Sequence, residues 1–264
     1  MKLYIDNGFL EYEIIGRGIP LLFIHGYPLS RMMWAPQLNV LSNQARLITI
    51  DLRGHGDSFP FEGIYSMDIL ANDCKRLLDD LQIKSPVVVC GLSMGGYVTL
   101  ALYRNYPELF KGMIFTSTRP GPDSIEGKTN RDTAIKNVYQ LGAGFIADTM
   151  LQKMFSPVTL STNPLLVKTI HNMMANTSVL GIVGALQGMR ERIDSTPLLT
   201  QISCPVLIIH GTDDQLIPLN EAELMANQIP NSILLKITAA GHLPNLEQPG
   251  IFNDAVRDFL IALD

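Results

Sequence analysis

The chain has 264 residues, 47% hydrophobic and 17% charged, which is too apolar for a disordered segment and long enough for one large core or two smaller ones. Twenty Lys and Arg against 25 Asp and Glu leave a net charge of −5, the wrong sign for a surface that follows a nucleic-acid backbone. No run reaches the ~18 apolar residues of a membrane-spanning helix.

The opening MKLYIDNGFLEYEIIG alternates as a strand does and lacks the apolar stretch and cleavage site of a signal peptide, so a cytoplasmic protein is expected. Leu3–Asp6 and Phe9–Ile15 read as an antiparallel hairpin turning at Asn7-Gly8. Strands follow at Pro20–His25, Arg46–Asp51, Pro86–Cys90, Gly112–Thr116, Pro205–His210 and Ser232–Thr238. Most are unbroken Val, Ile and Leu runs, the pattern of parallel strands covered on both faces. Helical patterns lie between or after them at Met67–Leu81, Gly95–Asn105, Asn220–Gln228 and Gly250–Leu260. This alternation predicts an α/β fold with a mostly parallel, doubly wound sheet.

From Arg119 to Thr196 the alternation stops. Helical patterns run at Arg131–Leu141, Phe145–Phe155, Leu165–Ala175 and Val179–Arg192, bounded by Arg-Pro-Gly-Pro and Ser195-Thr196-Pro197. The expected organisation is a core of residues 1–118 and 197–264 with an all-helical lid, residues 119–196, inserted over the sheet edge. Five methionines of this segment, Met150, Met154, Met173, Met174 and Met189, suit helix packing or a pliable wall for an apolar substrate. The three cysteines, Cys74, Cys90 and Cys204, have neither disulfide nor zinc spacing and read as small buried hydrophobes.

The strongest chemical signal is Val87-Val88-Val89-Cys90-Gly91-Leu92-Ser93-Met94-Gly95-Gly96, a buried strand entering Gly-x-Ser-x-Gly and then a helix. Such a turn lifts the serine above the sheet in a strained conformation, over a helix N-terminus that favours developing negative charge. A serine hydroxyl needs a base to act as nucleophile. Of five histidines, His25 and His210 end strands, His55 lies in a glycine-rich turn and His171 in the lid. His242 lies on a loop between the last strand and last helix, where its ring can swing over the sheet edge. An acid to orient it is sought between Ser93 and His242, and Asp213 and Asp214 both qualify.

Together with His25-Gly26-Tyr27-Pro28, Asp51-Leu52-Arg53-Gly54-His55-Gly56-Asp57-Ser58, Gly211-Thr212-Asp213-Asp214 and Gly241-His242, these motifs make the chain resemble the α/β-hydrolase superfamily nearly end to end. The resemblance implies Asp214 as the acid and places an oxyanion hole at the backbone N–H groups of Tyr27 and Met94. Gly-Leu-Ser-Met-Gly-Gly and Gly-His-Leu-Pro-Asn-Leu-Glu-Gln-Pro resemble serine carboxylesterases and 3-oxoadipate enol-lactonase-like proteins. The expectation is a serine carboxylesterase for small, uncharged, short- to medium-chain esters, using Ser93, His242 and Asp214 and needing neither metal nor cofactor. A lactone, a thioester such as an acyl-coenzyme A, or peroxide in place of water would suit the same triad, and a non-catalytic ligand-binding protein is the remote alternative. A dicarboxylate lactone would call for a cationic anchor, for which Arg119, Arg131, Arg190 and Arg192 are candidates, although solvated helix faces account for most of them.

Overall fold

The computed structural model describes residues 1–263. Eight strands form one sheet: β1 (Lys2–Ile5), β2 (Gly8–Ile15), β3 (Ile19–Ile24), β4 (Ala45–Ile50), β5 (Val87–Leu92), β6 (Phe110–Thr116), β7 (Val206–Gly211) and β8 (Ser232–Ile237). Their order is β1-β2-β4-β3-β5-β6-β7-β8; β2 runs antiparallel to both of its neighbours, β1 and β4, and every other pair is parallel. The expected α/β class and mostly parallel sheet are therefore present. The hairpin turns one residue earlier than expected. Ile5 pairs with Gly8, so Asp6 and Asn7 form the loop, and Asp6 takes the left-handed conformation (φ 48°).

Helices fill the connections: α1 (Ala35–Leu41) after β3, α2 (Met67–Asp80) after β4, α3 (Met94–Asn105) after β5, α9 (Leu219–Gln228) after β7, and α10 (Pro244–Glu247) with α11 (Pro249–Ala262) at the end. From β3 the chain passes through α1 to β4 on one side, then returns through α2 to β5 on the other. Right-handed crossovers in opposite directions place α1 and α2 on opposite faces of the sheet. The C-terminal ends of β3 and β5 thus form the point where winding reverses, the usual site for a ligand in an open α/β sheet.

The central strands bury their side chains: β5 and β7 are buried at every position, whereas the edge strands β1 and β8 are partly exposed. Cys74 and Cys90 lie in this core and Cys204 at its margin. Burial pushes the Cys74 and Cys90 thiols far up and Cys204 to about 11, so all three serve as apolar filling. No helix among the described residues is long and apolar enough to cross a membrane.

Between β6 and β7 the chain is helical: α4 (Ile125–Leu141), α5 (Ala143–Met154), α6 (Pro157–Thr162), α7 (Pro164–Ala175) and α8 (Val179–Arg190). Here α4 begins earlier than its sequence pattern. Ser124 caps it, accepting from the Gly127 N–H at 3.1 Å, but glycine stands where a reciprocal Glu or Gln would signal the start. The two ends of the insertion meet, the Ser195 N–H donating to the Pro120 carbonyl at 3.0 Å.

Candidate active site

Ser93 joins β5 to α3 with φ 53° and ψ −111°, a conformation that L-residues adopt only under constraint. Its N–H donates to the Thr116 carbonyl at 2.9 Å, and its carbonyl accepts from the Thr118 hydroxyl at 2.8 Å and the Gly96 N–H at 2.9 Å. The surrounding glycines are obligatory on steric grounds. A Cβ on Gly91 would lie 2.3 Å from the Gly95 carbonyl oxygen, and one on Gly95 would lie 2.2 Å from that of Ile24. These close approaches let the turn sit against β3. The Ser93 side chain makes no cap bond to its own helix and lines a cavity instead.

His242 lines the same cavity from the loop after β8. Its Nδ1 lies 2.8 Å from Asp214 Oδ2, at the end of β7. The other Asp214 oxygen accepts from the Leu216 and Ile217 amides at 2.8 and 3.0 Å. Burial alone would raise the Asp214 carboxyl, but the charge and hydrogen bond of His242 together with these amides hold it below its ordinary value. An ionised carboxylate at Oδ2 keeps the proton on Nδ1 and leaves Nε2 as the acceptor. Asp213 takes a different role at the turn, accepting from the Thr212 hydroxyl at 3.0 Å.

The backbone N–H groups of Tyr27, after β3, and Met94, after Ser93, donate to no protein acceptor among the described residues. Both lie at the reversal point between β3 and β5, where a ligand oxygen can receive them.

The remaining histidines are engaged elsewhere. His25 donates from Nδ1 to the Gly26 carbonyl (2.9 Å) and accepts the Leu52 N–H at Nε2 (3.0 Å). His55 donates to the Arg53 carbonyl at 2.8 Å and lies 5.1 Å, ring to ring, from His25. Burial pushes them down to about 4 and about 3. His210 donates to the Ile217 carbonyl at 2.9 Å and remains 3.6 Å from Asp214. His171 pairs with Asp148 on the surface of the helical insertion.

The cavity measures about 320 Å³. Ala134, Phe145, Ile146, Met150, Leu186 and Met189 give it an apolar wall from the insertion. Two of the five methionines of this segment therefore face it. Met154 and Met174 pack in the core, and Met173 lies elsewhere.

Three of the four candidate arginines depart from the solvated-face expectation. Arg119, Arg131 and Arg192 all bind the buried Asp123, and Arg119 and Arg131 line the cavity. Only Arg190 is a surface residue, paired with Asp132 and Glu191. Asp123 lies in a short loop with no motif around it, so nothing in the sequence marks its role. Glu247 lies within the Gly-His motif, which carries no signal for its contacts. Its two oxygens accept the Gly241 N–H at 2.7 Å and the Ser156 N–H at 2.8 Å.

Residues 19–249 match the family described as alpha/beta hydrolase fold. The chain belongs to the α/β hydrolase fold family. Similar members include 3-oxoadipate enol-lactonase 2 of Acinetobacter baylyi, 30% identical over 94% of this chain and 91% of that protein. A solved thermophilic esterase from Thermogutta terrifontis, described as malate bound, is 39% identical with a TM-score of 0.95, covering 97% of this chain and 94% of its own. The non-heme chloroperoxidase CPO-A1 of Kitasatospora aureofaciens is 27% identical over 90% of each chain. Among its α/β hydrolase relatives, then, this chain stands beside esterases, lactonases and haloperoxidases alike.

Proposed function

We propose that this α/β hydrolase is a serine carboxylesterase acting on small esters of short to medium acyl chain. The observation that carries the reading is the 2.8 Å His242–Asp214 pair, with Ser93 and His242 on the wall of one cavity. Ser93 Oγ attacks the ester carbonyl while His242 Nε2 takes its proton. Asp214 fixes the tautomer and stabilises the imidazolium. The Tyr27 and Met94 amides receive the developing oxyanion, each such donor contributing about 3 kcal/mol of barrier lowering. Collapse of the tetrahedral intermediate expels the alcohol, protonated by His242. Water, deprotonated by the same ring, then releases the acid and restores Ser93.

The test is Ser93→Ala with a fluorophosphonate probe. Ester turnover should fall by roughly 10⁶-fold, with the fold intact, and the probe should label Ser93 alone in the unmodified protein. A variant keeping a tenth of the activity would remove Ser93 as nucleophile. The likeness to an enol-lactonase supports a second reading, ring opening of a lactone by the same steps. Matched esters, lactones and thioesters assayed together separate these substrates.

A further inference from the structure

The cavity wall opposite in character to the apolar one is built from charge. Asp123, on the loop before α4, is almost fully buried and accepts from three guanidiniums. Arg119 donates at 2.9 Å, Arg192 at 2.7 Å, and Arg131 through its Nε. Burial alone would raise this carboxyl; Arg131 and Arg192 hold it down at about 2, so it carries its charge at neutral pH.

One carboxylate does not balance three guanidiniums. Glu221 is also within electrostatic reach of Arg119, and even with it the group keeps a positive excess. Arg192 is screened from the cavity: its guanidinium lies 4.3 Å from the centre of the Tyr97 ring and donates to the Gly121 and Met189 carbonyls. Arg119 and Arg131 line the cavity itself. Arg119 Nε is buried without a well-aligned acceptor among the described residues, although the Tyr97 hydroxyl stands beside the Arg119 guanidinium on the same cavity wall. The Tyr27 hydroxyl is buried without a partner among the described residues, and Tyr27 is a cavity-lining residue only 7% exposed.

Desolvated donors without acceptors are costly, and buried cationic excess is stabilised by a matching anion. A neutral ester supplies no charge to this wall. A guanidinium fork fits a carboxylate with two parallel hydrogen bonds.

We infer that Arg119 and Arg131, with the Tyr27 hydroxyl, form an anion subsite in the Ser93 cavity, so that the preferred ester carries a second, free carboxylate. The inference rests on the esterase reading of Ser93 and narrows its substrate class to anionic esters, in place of the uncharged esters expected from the sequence. The carboxylate can sit on the acyl chain, as in a half-ester of a dicarboxylic acid, or on the alcohol. The recognition chemistry is the same, and the assay separates the two.

The experiment compares kcat/KM for phenyl hemisuccinate, hemiglutarate and hemiadipate with phenyl butyrate, valerate and hexanoate, and for butyrate esters of glycolic acid with ethyl butyrate. At least one anionic series should exceed its neutral match by roughly tenfold or more. That ratio should fall with added salt, and should fall by about tenfold in Arg119→Gln and in Arg131→Gln. Arg119→Lys, which keeps the charge, should retain more of it than Arg119→Gln.

Binding is read separately from turnover by titrating Ser93→Ala protein with glutarate and with glutaramide. Glutarate should bind, glutaramide should not, and Arg119→Gln in that background should weaken glutarate. Equal efficiency on anionic and neutral esters, or equal binding of acid and amide, overturns the subsite while leaving an esterase on Ser93 intact. Failure of the probe to label Ser93, with glutarate still bound selectively, would instead overturn the esterase reading and keep the subsite.

Discussion

His242 donates its backbone N–H to the Met154 carbonyl, 3.0 Å away, so the loop carrying the imidazole is fastened to the last residue of α5. Glu247 doubles the fastening through Gly241 and Ser156. Contact is so close that a Cβ on Gly241 would stand 2.6 Å from the Phe155 carbonyl carbon. The helical insertion and the proposed base are therefore positioned by one another.

Glu247→Gln should expose this coupling. An amide offers one acceptor where the carboxylate offers two, and turns an N–H toward the other donor. Loss of a buried acceptor costs about 1–3 kcal/mol, and a small displacement of a reacting group can cost a hundredfold in rate. The expected result is a drop in kcat of roughly ten- to a hundredfold with KM nearly constant. Unchanged kcat in steady-state ester assays would show that His242 is held by other contacts.

Asp214→Asn and Asp213→Asn should differ sharply. The first substitution disturbs the histidine tautomer and should lower kcat by about 10⁴-fold. The second changes a turn residue paired with Thr212 and should stay within about threefold. Equal effects in parallel kinetics would place the orienting acid elsewhere.

Gly95→Ala introduces a methyl group 2.2 Å from a main-chain oxygen of β3, which cannot rotate away. Overpacking of this kind costs about 1–3 kcal/mol, a fall of roughly 2–12 °C in Tm for a chain of this size. Thermal unfolding and ester kinetics on the same sample should show both stability and activity reduced. An unshifted Tm would mean the turn is looser than its contacts.

Acyl length should have an optimum. Each methylene buried against Phe145, Ile146, Met150 and Leu186 contributes about 0.8 kcal/mol until the cavity is full, after which overpacking reverses the trend. Across acetate, butyrate, hexanoate, octanoate and palmitate esters, kcat/KM should peak at short to medium chains. A maximum at palmitate would require an open groove.

Acid should weaken the fold through His25 and His55. Burial lowers both below the ordinary histidine value, to about 4 and about 3, so the unfolded chain binds more protons once the pH drops below about 6.5. Stability is complete above that pH and declines as it falls toward 4, by up to about 1.4 kcal/mol per pH unit for each histidine. Asp51 and Asp73, raised by burial, oppose the loss at the acidic end. Urea midpoints should hold between pH 7.5 and about 6.5 and then fall toward pH 5; a flat profile throughout would mean these rings are hydrated.

The central sheet could be read from sequence because fully buried parallel strands are written as unbroken apolar runs between turn residues. The helix α1 leaves little trace in the sequence because it is only seven residues long and follows a turn of 3-10 helix at Arg31–Trp34. For the site, Ser93 and His242 were approachable because close packing of backbone forces glycine into fixed positions around them. The arginine cluster was not, since Arg119, Asp123, Arg131 and Arg192 meet only after α4 and α8 fold together. Each of these residues alone resembles an ordinary charge on a helix or loop.

The hydrogen bond from Ser195 to Pro120 gives the helical insertion a common root. An excursion whose ends are already joined adds only a slowly growing loop-closure entropy, whatever its length. Residues can thus be gained or lost around α6 and the α6–α7 turn with little thermodynamic effect on the sheet below. The α5 segment that holds His242 and the arginine ring on Asp123 do not share that freedom. Divergence among relatives with this architecture should accordingly be uneven, generous along the outer rim of the insertion and restrained at its two anchor points.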